Sequence, residues 1–260
     1  MKTLTRLIYL SALIVGTLGA STAIACTTSL WVGGETGTPL AGSPADVSRV
    51  TGLCAMKLSE AGSVKDTSPS VETTANIRFY VYAQLSAGTP VIFEAFSDDG
   101  ATASLLTVSF DGSNFVFDAG NGASGNVPGK SGWNLVELAW TGGSTMDYWV
   151  NADATSESAT GSVSAAAGTM ESVILGTSDS YTGTLTFDDY ESHRTTAVGL
   201  SDICNADGIG GIDLLDALEV VDEFFAGPGN PDLAVGSPDC NLSGTVDLLD
   251  ALDIVDIFFN

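Results

Sequence analysis

Apolar residues recur at every second position through Ile77, Phe79, Val81, Ala83 and Leu85, with Arg78, Tyr80, Tyr82 and Gln84 between them. That period puts successive side chains on opposite sides of an extended chain and predicts a strand with one face buried. Val91 to Phe96 follows a Gly88-Thr89-Pro90 turn. Leu105 to Phe110 and Phe115 to Phe117 flank Asp111-Gly112-Ser113-Asn114, a hairpin signal. Trp133 to Trp140 and Met146 to Val150 flank Thr141-Gly142-Gly143-Ser144, and Val173 to Leu175 and Leu185 to Tyr190 complete the series. Short strands separated by regular turns predict an antiparallel sandwich. No ten-residue helical pattern interrupts them, which argues against a parallel α/β sheet.

The pattern changes near residue 200. Asp213-Leu214-Leu215-Asp216-Ala217-Leu218 recurs 34 positions later as Asp247-Leu248-Leu249-Asp250-Ala251-Leu252. Phe224-Phe225 recurs as Phe258-Phe259. Upstream of the second copy, Asp239, Asn241, Ser243, Asp247 and Asp250 occupy positions 1, 3, 5, 9 and 12 of a twelve-residue loop, with Gly244 at position 6. That is EF-hand spacing: Ca²⁺ takes six to eight hard oxygens, and the glycine allows the turn that gathers them. Thr245, at position 7, offers its carbonyl, and Asp250 is the expected bidentate ligand. The first copy places Asn205, Asp207, Gly211, Asp213 and Asp216 at positions 1, 3, 7, 9 and 12, with Gly210 at position 6. Ile209 at position 5 brings no side-chain oxygen, so this site is expected to be the weaker. Asp213, Asp216, Glu219 and Asp222 step by three, as do Asp247, Asp250, Asp253 and Asp256. Such like-charge ladders cost helix stability unless a cation neutralises them.

Charge sharpens the division. The chain has 32 acids and 8 bases, a net charge of −24. Residues 200–260 hold 13 of the acids and no Lys or Arg, which marks a domain boundary near residue 200. A chain so acidic has no basic face for nucleic acid or anionic lipid. Apolar residues make up 44% and charged residues 15%, enough to bury a core. The first 25 residues read as an export signal: Lys2 and Arg6, the apolar run Leu7 to Leu18, then Ala23-Ile24-Ala25. Cleavage there leaves Cys26 first, which raises a lipoprotein reading. It is the weaker one, because Ala23 stands where that pattern prefers Leu. No later stretch is long and apolar enough to span a bilayer, so a secreted or cell-surface protein is expected. Four cysteines in an exported chain predict two disulfides, with three connectivities open. Each half holds two, which favours Cys26–Cys54 and Cys204–Cys240. No pair has zinc-site spacing.

Two family resemblances follow from these residues. Gly132-Trp133-Asn134-Leu135-Val136-Glu137-Leu138, Trp149-Val150-Asn151, Ile174-Leu175-Gly176 and Gly183 to Tyr190 resemble the second half of concanavalin-like, laminin-G-like jelly rolls, over roughly residues 70–195. The resemblance implies a two-sheet jelly roll, often a carbohydrate- or protein-binding module. The paired loop-helix units, with Asp at position 12, resemble a dockerin over nearly all of residues 203–260. That implies a small calcium-dependent α-helical module docking onto a cohesin-like partner. Leu214, Leu215, Leu248 and Leu249 stand at positions 10 and 11, where cellulosomal members carry polar residues. This departure opens three readings: another partner, intramolecular docking, or a calcium-stabilised terminal anchor.

The expected architecture is mainly β. An antiparallel jelly-roll sandwich over residues 26–199 precedes a dockerin-like calcium-loop domain over residues 200–260. Catalysis by two carboxyls has few candidates. Glu94 stands alone on its strand, Asp98 and Asp99 read as a turn, and Asp188, Asp189 and Glu191 read best as a strand end, with Asp189 and Glu191 on one face. His193 is the sole histidine, and no nucleophile motif accompanies it. Trp31, Trp133, Trp140, Trp149, Tyr80 and Tyr82 either pack in the core, the favoured reading, or form a sugar-stacking platform. The expected function is non-catalytic binding or assembly outside the cell, with a glycan or protein ligand on the sandwich and a docking partner on the tail. The alternatives are a polysaccharide-active enzyme and a structural cell-surface protein.

Overall fold

The structure is a computed structural model that describes residues 26–259 except 30, 43–48, 53, 123 and 227–235. The export signal therefore lies outside the described residues. In chain order the strands are β1 (Glu35–Gly37), β2 (Leu40–Gly42), β3 (Ala55–Leu58), β4 (Gly62–Asp66), β5 (Thr74–Ala87), β6 (Val91–Phe96) and β7 (Ser104–Phe110). Then come β8 (Asn114–Asp118), β9 (Ser124–Pro128), β10 (Trp133–Thr141), β11 (Thr145–Val150), β12 (Gly161–Ser164), β13 (Ser172–Thr177) and β14 (Thr182–His193). Two helices follow among the described residues, α1 (Leu214–Ala226) and α2 (Leu248–Phe259). The strands form two antiparallel seven-stranded sheets, ordered β1-β4-β13-β6-β7-β8-β9 and β12-β11-β10-β5-β14-β3-β2.

The core lies between the sheets. Ile77, Phe79 and Val81 of β5 and Val136, Leu138 and Trp140 of β10 face inward. Phe79 stacks on Phe93 of the other sheet at 5.4 Å between centroids. Turn chemistry sets the register where the sequence placed it: Asp111 Oδ1 accepts from Ser113 N and Asn114 N at 2.9 and 2.7 Å, closing the β7–β8 hairpin. Six strands carried no sequence signal, namely β1 to β4, β9 and β12. They are short, all but β3 contain Gly, Ser or Thr, and they pair at or near the sheet edges.

The expectation of one buried face fails on β5, and its neighbour β10 is buried on both faces too. Arg78, Tyr80, Trp133, Leu135 and Glu137 point away from the core, yet all are buried. Chain from elsewhere covers them. Glu137 accepts from Val198 N and Gly199 N at 2.7 and 2.9 Å, so the segment after β14 lies across this sheet. Val50 and Leu242 pack on Tyr80, Trp133 and Leu135 as a second apolar layer.

The disulfides are Cys26–Cys54 and Cys204–Cys240, one in each half, as the distribution of cysteines favoured. The second joins the starts of the two repeats and packs with Ala206, Ala217, Val220, Ala251 and Ile254 in a small core between α1 and α2. Among the described residues no helix is long and apolar enough to cross a membrane.

Candidate functional site

The two repeats fold alike. In the second, Asp250 is fully buried and its carboxylate accepts from Asn241 N and Asp247 N at 3.1 and 2.8 Å. In the first, Asp216 is fully buried and accepts from Asp207 N and Asp213 N at 3.1 and 2.7 Å. Asp247 and Asp213 cap their helices by accepting from Leu249 N and Leu215 N at 2.7 and 2.6 Å. Gly244 and Gly210, both at position 6, have φ of +93° and +76°, a backbone that side chains with a Cβ rarely adopt. Each loop is thus closed by its position-12 carboxylate, which ties the loop's backbone to the first turn of its helix.

The remaining donors differ between loops. Asp239 is buried and accepts from Ser243 N and Gly244 N at 2.9 and 2.8 Å. Asn241 Oδ1 also accepts from Ser243 N, and Ser243 Oγ donates to the Thr245 carbonyl at 3.0 Å. In the first loop, Asp207 accepts from Ile209 N at 2.8 Å, and Gly211 lies in open space. Asn205 donates its amide to Gly210 O and to Asp202, while its Oδ1 is buried without a hydrogen-bond partner. Burial first, and then the charges of Asp250 and Asp247, push the Asp239 carboxyl up to about 7 against the opposing N–H bonds. Burial likewise raises Asp250, and burial with Asp222, Asp207 and Asp216 raises Glu219.

Among the described residues no three His, Cys, Asp or Glu side chains converge into a ready-made metal cluster. The loop acids instead direct oxygens onto backbone N–H groups. The residues nonetheless fit a hard cation: carboxylates, an amide oxygen, a hydroxyl and a backbone carbonyl lie within one short closed loop. The unpartnered Asn205 Oδ1 is an orphaned acceptor at position 1.

The helices leave a second feature. An apolar groove of about 600 Å³ runs between them, lined by Leu214, Leu218, Val221 and, each 34 positions later, Leu248, Leu252 and Val255. Leu215 and Leu249 beside it are both 60% exposed. Together they form an exposed apolar surface along the two helices.

The sandwich candidates have structural partners. Arg78 pairs with Asp189 at 3.0 Å and with Glu191 at 2.9 Å, and Glu191 also meets His193 Nε2 at 2.9 Å. A one-residue bulge between Asp188 and Glu191 breaks the alternation expected there and turns both acids onto the same arginine. Asp188 accepts from Val50, Thr51 and Asp189 N–H groups, while burial pushes it up to about 7. Asp98 is a turn acid, accepting from Thr102 N and Ala103 N. Tyr80, Trp133 and Trp140 are wholly buried and cannot stack on a sugar in this arrangement. Trp31 packs on Tyr190 at 4.9 Å, beside a 440 Å³ hollow under the Cys26–Cys54 segment. Sequence reasoning missed this hollow and missed Arg49, a buried side chain that bonds Glu223 of α1 and the Gly236 carbonyl at 2.8 and 3.0 Å.

Neither a family model nor a curated protein matches the chain. Among solved structures it is similar to the ligand-binding domain of botulinum neurotoxin serotype D in complex with N-acetylneuraminic acid, at 11% identity and a TM-score of 0.42, over 60% of this chain and 43% of that one. It is also similar to a cellulose-induced protein, Cip1, at 14% identity and 0.48, over 64% of this chain and 88% of that one. A Trypanosoma rangeli sialidase matches at 12% identity and 0.42, over 54% of this chain and 25% of its own. The chain thus spans less than half of the toxin domain. Likeness this distant carries no ligand or activity across, and the reading below rests on residues alone.

Proposed function

We propose that this is an exported, non-catalytic binding and assembly protein whose C-terminal loop-helix pair binds Ca²⁺ and offers the α1–α2 groove to a protein partner. The observation that carries the reading is the duplication itself. Two loops of EF-hand spacing close on position-12 carboxylates with the same hydrogen bonds. When bound, the cation supplies the positive charge that the 13 acids of this region lack among their own side chains. Asp239, Asn241, Ser243, Thr245, Asp247 and Asp250 would hold one ion. Asn205, Asp207, Gly211, Asp213 and Asp216 would hold a second. The leucines at positions 10 and 11 favour a partner with an apolar ridge over one that reads polar side chains, whether cohesin-like or not. The acidic rim favours flanking Lys or Arg on that partner. Calorimetric titration of the chelated full chain with CaCl₂ should give two sites, the first loop weaker. Asp250→Asn should remove the tighter one. A single unaltered isotherm in that variant, or no heat at all, rejects the assignment.

For the sandwich, the uncovered face is the outer side of the β1–β9 sheet. There Lys65, Ile174, Glu94, Thr107 and Asp118 form one cross-strand row, all half-exposed. This row is the surface we assign to a glycan or protein ligand. Retention on a polysaccharide panel without product release, reduced about tenfold or more by Glu94→Lys, supports it. That expectation corresponds to about 1.4 kcal/mol. Product release abolished by Asp189→Asn would favour the polysaccharide-active alternative instead.

A further inference from the structure

The two repeats differ at one position in a way that local geometry does not ask for. Position 4 of the first loop is Gly208, with φ of +67°. Position 4 of the second is Leu242, with φ of +57°. The left-handed region suits glycine and disfavours a leucine, whose Cβ crowds the following carbonyl. The strained residue sits where the tail meets the sandwich. Leu242 is 9% exposed and packs with Val50, Tyr80, Trp133 and Leu135 on the outer face of the β10–β5 pair. Its carbonyl accepts from Trp133 N at 2.8 Å. Two residues on, a Cβ at Gly244 would stand 2.5 Å from the Tyr82 ring, whereas a Cβ at Gly210 in the first loop would meet nothing. The second loop is pressed against the sheet, while the corresponding glycine of the first faces open space.

We infer that the second loop is a calcium-dependent plug for the aromatic face of the sandwich. This rests on the calcium reading of that loop and extends it. The ion orders residues 239–250 in the conformation that holds Leu242 against Trp133. Binding at the loop and docking on the sheet are therefore linked, and each strengthens the other. The first loop makes no such contact through its positions 4 and 6, and among the described residues the first repeat meets the sandwich only outside that loop, through Ile203 and through Glu223 of α1. Without the ion, the loop loosens and the Tyr80, Tyr82 and Trp133 face opens to water.

The full chain contains its own reporter. Its four tryptophans, Trp31, Trp133, Trp140 and Trp149, all precede residue 200, so tryptophan emission follows the sandwich and not the tail. Melting monitored by that emission should rise by about 4 °C or more on adding CaCl₂ to chelated protein. Leu242→Gly restores the first loop's residue at this position and relieves the backbone, so the tail keeps its calcium heat. The rise should then fall below about 1 °C. Leu242→Asn, which also tolerates this backbone, should behave the same. By reciprocity, Tyr82→Ala should weaken the second calcium site about five- to tenfold and leave the first unchanged. Calcium heat with no shift in the tryptophan midpoint overturns the plug and leaves the calcium reading standing. So does a full shift retained by Leu242→Gly. Absence of calcium heat in the unaltered chain overturns both.

Discussion

Replacing Arg78 with Met is expected to lower the melting midpoint of the sandwich by about 6–12 °C, the equivalent of about 3 kcal/mol for a domain of this size. Arg78 is 4% exposed on the outer face of β5. Its guanidinium meets Asp189 at 3.0 Å and Glu191 at 2.9 Å and donates to the Gly199 carbonyl at 3.0 Å. It thereby joins three successive pieces of chain: the bulge in β14, the end of that strand and the segment that leads into the tail. Methionine matches its length but leaves the Asp189 carboxylate, mostly shielded from water, without its cation. Breaking a buried pair on one side is costly for that reason. Glu191 is half in water, so its share is small. Two controls separate this account from simple loss of packing. Arg194→Met removes a pair with Glu72 whose members are each about one-third exposed, and should cost about 1 kcal/mol or less. Asp189→Asn added to Arg78→Met should recover part of the loss, because the stranded charge is gone. An Arg78→Met chain that melts where the parent does would show that these three contacts contribute nothing net.

Asp250→Ala should be the most damaging single change in the tail. It should erase most of the helicity that calcium adds, and with it about 2–4 kcal/mol. The side chain is fully buried, and its two oxygens accept from Asn241 N and Asp247 N. Alanine strands both donors in a place water cannot easily reach, and it also removes the expected bidentate ligand. Asp216→Ala breaks the same pair of bonds in the first loop. The position-12 bonds are equal in the two loops, but the first loop lacks an oxygen at Ile209 and so has less calcium binding to lose. The partner surface adds to the difference, because the loop that Asp250 closes is the one docked on Trp133. Circular dichroism of the full chain during calcium titration should therefore show a larger loss for Asp250→Ala. That variant should also lower the tryptophan-monitored melt by the larger amount. A larger loss from Asp216→Ala would contradict the argument.

The Arg78 cluster also shows why an acid-rich strand end is a poor guide to catalysis. Asp188, Asp189 and Glu191 are dense enough in the sequence to suggest a paired-carboxylate site. Whether two acids face a cleft or an arginine is decided by residues far along the chain. Here the arginine lies more than 100 positions upstream, and a one-residue bulge aims both acids at it.

Local chemistry was sufficient for much of this protein. Period-two alternation located β5, because burial on one face of a pleated strand leaves that trace directly in residue order, and short apolar runs between turn residues located β6 to β8, β10, β11, β13 and β14. The 34-residue repeat located both loops and both helices, since a glycine at position 6 and acids at 3 or 1, 9 and 12 answer to constraints within a dozen residues. The partition of cysteines matched the disulfides because each bridge joins segments of the same half. Alternation, however, reports the chemistry of a side chain and not what lies above it. Tyr80 and Trp133 could have formed a sugar platform or an inner layer with equal economy of sequence. Only the tertiary structure, by laying residues 198–199 and Leu242 across that sheet, made them interior. The same holds for the groove. Leu214, Leu218, Leu248 and Leu252 read as ordinary helix residues until two helices pack through Ala217, Val220, Ala251 and Ile254 and leave those leucines facing water. Contacts between residues distant in sequence carry no period, so the place where one half of this chain closes over the other was set by packing alone.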